Sequence, residues 1–164
     1  MEKILDVANY IFNAYKELTQ SEIDEMKLHK LLYFAQRESI ALTGEPLFES
    51  DFEGWRYGPV SPEVRSKFSQ CGIQINNSSV KDETKYILNN IIMEYGIYES
   101  WKLSEMSHKE ISWINSRKGL SNNDCGSTKL SLDDIREDAK KVRPYDHVWD
   151  MYYDEFEDAE VTDK

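Results

Sequence analysis

His108 and Glu110 form an H-x-E pair, the spacing at which zinc nucleobase deaminases set a metal ligand beside a general acid–base carboxylate. That chemistry also needs two thiolates in a P-C-x-x-C run to complete the metal's coordination. The two cysteines here, Cys71 and Cys125, stand far apart and match no zinc or redox spacing. Local structure is the blander account of the pair: Ser107 and Glu110 match the S-x-x-E capping box, with His108 bonding nearby. Cys71 falls at an expected helix C-terminus, where the dipole disfavours a thiolate, and Cys125 sits in a polar loop with Lys129 as its closest base in sequence. His29 lies between Leu28 and Lys30, at the edge of an expected buried face, and His147 lies in an acidic stretch near the C-terminus. No Walker loop, G-x-G-x-x-G, G-x-S-x-G or H-E-x-x-H occurs. A hydrolase-like enzyme using His108 and Glu110 is therefore the rival reading, and no catalytic residue, cofactor or metal is assigned.

The elements that would position these residues are mostly helical. Ile4, Val7, Ala8, Ile11, Phe12, Tyr15 and Leu18 share one face of a first helix. Ser21 with Asp24 reads as the start of a second, whose stripe is Leu28, Leu31, Leu32 and Ala35 and which stops at Gly44 and Pro46. Between Leu47 and Val60 the period breaks: Phe48, Phe52, Trp55 and Tyr57 are interleaved with charges, Gly54, Gly58 and Pro59, which fits a short strand pair or ordered loop. Ser61 and Pro62 then open a helix ending by Gly72, and Leu88, Ile91, Ile92 and Tyr95 mark another that stops at Gly96. Ser100 is expected to cap a short helix, Ser107 the next, and Ser131 with Asp134 a last one closed by Pro144. The fold expected is a mostly α, single compact domain of about six to eight helices, with a small β/loop insert near residues 47–60.

Charge narrows the function classes. The 164 residues carry a net charge of −11, and the segment from Tyr145 to Lys164 alone has eight acids against one base. Nucleic-acid affinity comes largely from Lys and Arg neutralising phosphates, so direct nucleic-acid binding is not expected, whereas a basic protein partner suits the field. No apolar run approaches the ~20 residues of a membrane span, and the opening Met1-Glu2-Lys3 runs straight into an amphipathic pattern. The expectation is a cytoplasmic protein with reduced thiols and no membrane partner.

One long block is distinctive: Lys27-Leu28-His29-Lys30-Leu31-Leu32-Tyr33-Phe34-Ala35-Gln36, then Leu42 through Phe48, then Phe52-Glu53-Gly54-Trp55-Arg56-Tyr57-Gly58-Pro59-Val60. Ser107-His108-Lys109-Glu110, Trp113 and Arg117 follow. The sequence resembles the Panacea domain, the SocA-like antitoxin family that includes phage-associated GepA-like proteins, over roughly residues 1–143. Gly54 departs from the family's more frequent Ala, a difference expected to matter little. The resemblance implies an antitoxin that neutralises a cognate protein toxin, encoded by a neighbouring gene and often on a prophage or other mobile element. A proteolytic adaptor delivering its toxin to ClpXP, with ClpX as a second partner, is the alternative. Within the motif, Leu28, Leu31, Leu32, Tyr33, Gly58, Pro59, His108, Glu110 and Trp113 read as structural. Trp55, Arg56 and Tyr57 either dock the toxin, being of the types enriched at binding hot spots, or anchor the insert on the helices.

Residues 144–164 form the remaining segment. Tyr145, Trp149, Tyr152 and Phe156 recur at helical spacing with acids around them. Such a helix would lie against a basic toxin, with these four aromatics as candidate toxin-binding residues, or occlude a nucleic-acid groove by mimicking phosphate charge. The alternative packs the aromatics on the domain with the acids facing water, and both hold if it packs by its aromatics and presents its acids. The expectation is that this segment tunes association through charge.

Overall fold

The computed structural model describes residues 1–71 and 79–142, with side chains of the third helix described through Phe68. The C-terminal segment with Tyr145, Trp149, Tyr152 and Phe156, the closing Pro144, His147, the Cys71 side chain and most of the loop at 76–79 lie outside the described residues.

The chain runs α1 (Ile4–Thr19), α2 (Glu25–Thr43), β1 (Glu53–Trp55), β2 (Gly58–Val60), α3 (Pro62–Cys71), α4 (Asp82–Tyr95), α5 (Ser100–Ser107), α6 (Ile111–Ser116) and α7 (Leu132–Ala139). Among the described residues this is a mostly α fold of seven helices with one two-stranded antiparallel hairpin, registered Glu53 to Val60 and Trp55 to Gly58. The expected fold class and the insert near residues 47–60 are both present. No helix among the described residues is long and apolar enough to cross a membrane.

α2 is the axis. It touches α1, α3, α4, α5, α7 and β2, and every residue from Lys27 to Ile40 is buried. Leu28, Leu31, Leu32 and Ala35 are wholly buried, packed among Val7 and Ile11 of α1, Leu88 and Ile91 of α4 and Leu103 of α5. Each large apolar side chain taken out of water contributes about 1.5–3 kcal/mol, so the three leucines of this stripe are a substantial share of the driving force for folding. A central helix must also bury its polar side chains, and each such group then needs a partner. Lys27 Nζ donates to the Tyr15 hydroxyl and the Gly96 carbonyl, both at 3.1 Å. The Gln36 amide reaches the chain after α2: its oxygen accepts from Leu47 N–H at 2.7 Å and its nitrogen donates to Phe48 O at 3.1 Å.

Several local readings hold and several are corrected. Gly44 closes α2 in the left-handed conformation, φ 81°, and Ser61 Oγ accepts from Val64 N–H at the start of α3. The N-cap of α2 is Asp24, which accepts from Lys27 N–H, in place of Ser21. Ser100 is the first residue of α5 and spends its hydroxyl on Asp24 Oδ2, so it caps nothing. The Ser107–Glu110 capping box does not form. Ser107 donates to Ser104 O, Glu110 turns to Arg37, and the first-turn N–H groups of α6 are capped from α7, where Asp138 accepts from Ile111 N–H at 2.7 Å and Ser112 N–H at 2.9 Å. A carboxylate aimed at two helical N–H groups outcompetes a neutral hydroxyl. Leu18 is exposed at the end of α1, and His29 is fully buried where the edge of a face was expected.

Candidate functional site

The β1–β2 turn, Trp55-Arg56-Tyr57-Gly58, projects from the helical body and is fixed from three sides. Gly58 takes φ 113°, and a Cβ there would overlap Lys30 Cε and Ser107 Oγ at 2.4 Å, so only glycine lets the turn lie on α2 and α5. Ser104 Oγ donates to Tyr57 O at 2.6 Å, and Trp113 Nε1 donates to Trp55 O at 2.8 Å. From the other flank, the loop after α6 runs beside β1: Gly54 N–H donates to Thr128 O and Arg56 N–H to Cys125 O. Arg117 organises that loop with one buried guanidinium, donating to the carbonyls of Gly54, Cys125, Ser121 and Asp124.

Gly54 is also required, which corrects its reading as an inconsequential departure. A Cβ at this position would stand 1.9 Å from Ser116 Oγ and 2.9 Å from Ser116 Cβ. The hairpin and α6 approach too closely for alanine while serine occupies position 116.

Between this turn, the first half of α2 and α3 lies a cavity of about 440 Å³. Met26, Val60 and the Trp55 and Tyr57 rings supply apolar wall, and His29, Lys30, Arg56, Arg65, Glu25 and Cys125 supply its polar edge. Tyr57 is 53% exposed, and its ring lies 5.0 Å from the Arg56 guanidinium. Arg56 also donates to Asn123 Oδ1. Arg65 lies 5.1 Å from the Trp55 ring and pairs with Glu25 at 2.9 Å. The Trp55 indole donates to Glu53.

Two buried bases back the cavity. His29 Nδ1 accepts from Ser61 N–H, which leaves Nε2 to carry the proton toward Glu25 at 3.3 Å. Burial pushes its pKa down to about 4 against the opposing pull of Glu25, so the ring is neutral near pH 7. Lys30 is 1% exposed, and its Nζ donates to Pro59 O at 3.2 Å. Burial pushes that ammonium down to about 7, with Asp24 drawing it partly back.

A second polar knot joins α2 to α6 and α7. The Tyr33 hydroxyl lies 2.7 Å from Ser112 Oγ and donates to Asp138 at 3.1 Å and Glu110 at 3.3 Å, and burial raises its pKa well above the usual value. Arg37 pairs with Glu110 and donates to the Tyr95 hydroxyl at 2.9 Å. This is a scaffold: its groups bond one another inside the core, while the buried Arg37 Nε has no hydrogen-bond partner among the described residues. The H-x-E pair is divided by it, since Glu110 faces Arg37 and Tyr33 while the His108 ring stacks on Trp113 at 4.0 Å. Among the described residues no group of three or more His, Cys, Asp or Glu side chains is arranged to hold a metal ion.

The structure thus brings Trp55, Arg56 and Tyr57 to one cavity and places Leu28, Leu31, Leu32, Tyr33, Gly58, Pro59, Glu110 and Trp113 in the framework that carries it. Sequence reasoning did not assign His29, Lys30 and Arg65 to that cavity. The signal was present in part, because Glu25 and His29 stand at i, i+4 beside Lys30, and Arg65 falls one turn into α3.

The family described as Antitoxin SocA-like, Panacea domain, matches residues 28–114, just over half of the chain. Antitoxin SocA of Caulobacter vibrioides (strain NA1000 / CB15N) is 39% identical over 86 residues, which cover 52% of this chain and 39% of that protein. The chain therefore spans about two fifths of the length of this curated relative. No solved structure matches it at a significant level. The matched segment holds the hairpin, α3 to α5 and most of α2 and α6, and with them Lys30, Trp55, Arg56, Tyr57 and Arg65.

Proposed function

From the premise that the chain belongs to the SocA-like antitoxin, Panacea domain family, we propose that it is an antitoxin that neutralises a cognate protein toxin by direct binding, with no turnover. The toxin is the product of a neighbouring gene, on a prophage or other mobile element, and the pair acts in the cytoplasm. The observation that carries the reading is the hairpin turn: an exposed Tyr57, the Trp55 ring and the Arg56 guanidinium stand together over a ligand-sized cavity. Aromatic side chains and arginine bring large contact area and directed hydrogen bonds at low entropic cost, and they dominate binding hot spots. Residues 1–143 constitute the binding domain, and the acidic segment after them speeds encounter with a basic toxin.

The test is expression of the adjacent reading frame alone and together with this protein. Growth arrest by the first, relieved by the second, with a stoichiometric complex recovered from cells, supports neutralisation by binding. Relief that requires ClpX, with the toxin disappearing and no complex recovered, would assign the adaptor mechanism instead.

A further inference from the structure

Lys30 is an under-coordinated cation. An ammonium has three N–H donors, and burying one is costly unless they are taken up. Lys27, one turn earlier on the same helix, meets two acceptors. Lys30 is more deeply buried and, among the described residues, makes a single hydrogen bond, to Pro59 O. None of the ion pairs among the described residues includes it; Asp24 acts on it through space. Its side chain lines the hairpin cavity, behind the turn that carries Arg56.

The net charge around the cavity is positive. Glu25 is its single carboxylate among the lining residues, and Arg65 at 2.9 Å neutralises it. Arg56, on the turn, is held by the neutral Asn123 and the Tyr57 ring. His29 is uncharged near pH 7. Below about pH 7 Lys30 and Arg56 are two cations without a carboxylate ion-pair partner among the described residues, in a chain whose net charge is −11. The cavity is a positive concavity in an acidic protein, complementary to an anion.

The walls select among anions. Met26, Val60 and the Trp55 and Tyr57 rings present apolar surface that a free, fully hydrated phosphate would have to desolvate against with no return. A volume of about 440 Å³ lies in the ligand-sized range of roughly 300–1,000 Å³ and accommodates two side chains more readily than one ion.

We propose that the cavity between α2, the β1–β2 turn and α3 seats an acidic residue of the toxin, an Asp or Glu next to a large apolar residue, with the carboxylate against Lys30 and Arg56 and the apolar side chain against Trp55 and Tyr57. This rests on the antitoxin reading and gives its docking site a ligand chemistry. The acidic chain attracts a broadly basic toxin, and one acid at the right place on that toxin fixes the orientation in which it binds. A toxin lacking that acid meets a buried ammonium and a guanidinium with nothing to pair, which supplies discrimination.

The test uses the full chain labelled with ¹⁵N at pH 6, where Lys30 holds its proton, following its indole N–H signals, assigned by single Trp→Phe variants. The probes are N-acetyl-Phe-Glu-amide, N-acetyl-Phe-Gln-amide, N-acetyl-Phe-Lys-amide and inorganic phosphate. The expected result is a saturable shift of the Trp55 signal with the Glu peptide, affinity about tenfold lower for the Gln peptide, and no saturation with the Lys peptide. Lys30→Met and Arg56→Gln should each erase the Glu-over-Gln preference, and Lys102→Met on the surface of α5 should keep it. Arg56 is exposed, so its variant carries the test even if Lys30→Met does not fold. Equal shifts from the Glu and Gln peptides, or none, would overturn the proposal. Saturable phosphate binding as tight as the Glu peptide's would also overturn it, in favour of a phospho-anion site. A Glu preference in a protein that fails to relieve toxicity refutes the antitoxin reading alone; relief without the preference refutes the carboxylate site alone.

Discussion

Replacing Lys30 with methionine should stabilise the free protein, because the native side chain is kept at a cost. The lysine ammonium falls from 10.5 in the unfolded chain to about 7 in the folded one. At pH 6 both states hold the proton, and the displacement corresponds to roughly 5 kcal/mol of penalty on the folded state, an upper limit for a fully desolvated group. Methionine keeps the length of the side chain and loses the bond to Pro59 O, a loss of about 1–3 kcal/mol if that carbonyl goes unpaired. The net expectation at pH 6 is a gain of about 2–4 kcal/mol. The sign against pH is fixed: between 7 and 10.5 the unfolded chain binds the proton and the folded chain does not, so the native protein gains stability as pH rises. His29 and His108, which act on Lys30 through space, are both held below the usual imidazole range, first by burial. The advantage of Lys30→Met should therefore shrink by roughly 3 kcal/mol between pH 6 and pH 9. Urea denaturation of both proteins at the two pH values measures this directly. A variant less stable than the native chain at pH 6, or an advantage unchanged at pH 9, would refute the reasoning.

Asp138→Asn removes one of two oxygens that together hold Ile111 N–H, Ser112 N–H and the Tyr33 hydroxyl, and should cost about 2–4 kcal/mol by thermal or urea unfolding. Gly54→Ala should cost about 1–3 kcal/mol through overlap with Ser116, and adding Ser116→Gly should restore part of it; additive losses would argue against that contact. Circular dichroism of residues 1–143 should show a helix-rich spectrum and a cooperative melt. The same truncation should slow toxin association and flatten its salt dependence in stopped-flow measurements while leaving some neutralisation.

What was legible in the sequence was what the chain writes locally. Gly44 ends α2 and Ser61-Pro62 opens α3 because capping needs only neighbours in sequence. The hairpin was legible from Gly58-Pro59 among aromatics and charges. The depth of α2 was not: Lys27, Lys30 and Arg37 look like a solvent face, and only the packing of six elements around the helix turns that face inward. The cap of α6 was not, because Asp138 arrives from a helix 26 and 27 positions away and displaces the nearby S-x-x-E pair. Gly54 looked exchangeable until Ser116 was seen against it. At the site, Trp55, Arg56 and Tyr57 were named from residue type. Lys30, His29 and Arg65 were hidden, since their place at the cavity depends on how the turn lies across α2 and α3.

The central claim, that the hairpin turn is the toxin-docking surface, is tested most directly by the affinity of the full chain for the neighbouring gene's toxin with Arg56 reversed in sign. Arg56 is exposed and, among the described residues, its side chain bonds only Asn123, so Arg56→Glu should leave the melting temperature nearly unchanged. The account predicts an affinity loss of about a hundredfold or more by isothermal titration, about 3 kcal/mol, with loss of growth rescue. An Arg56→Glu protein that binds and neutralises the toxin as the native chain does would contradict it.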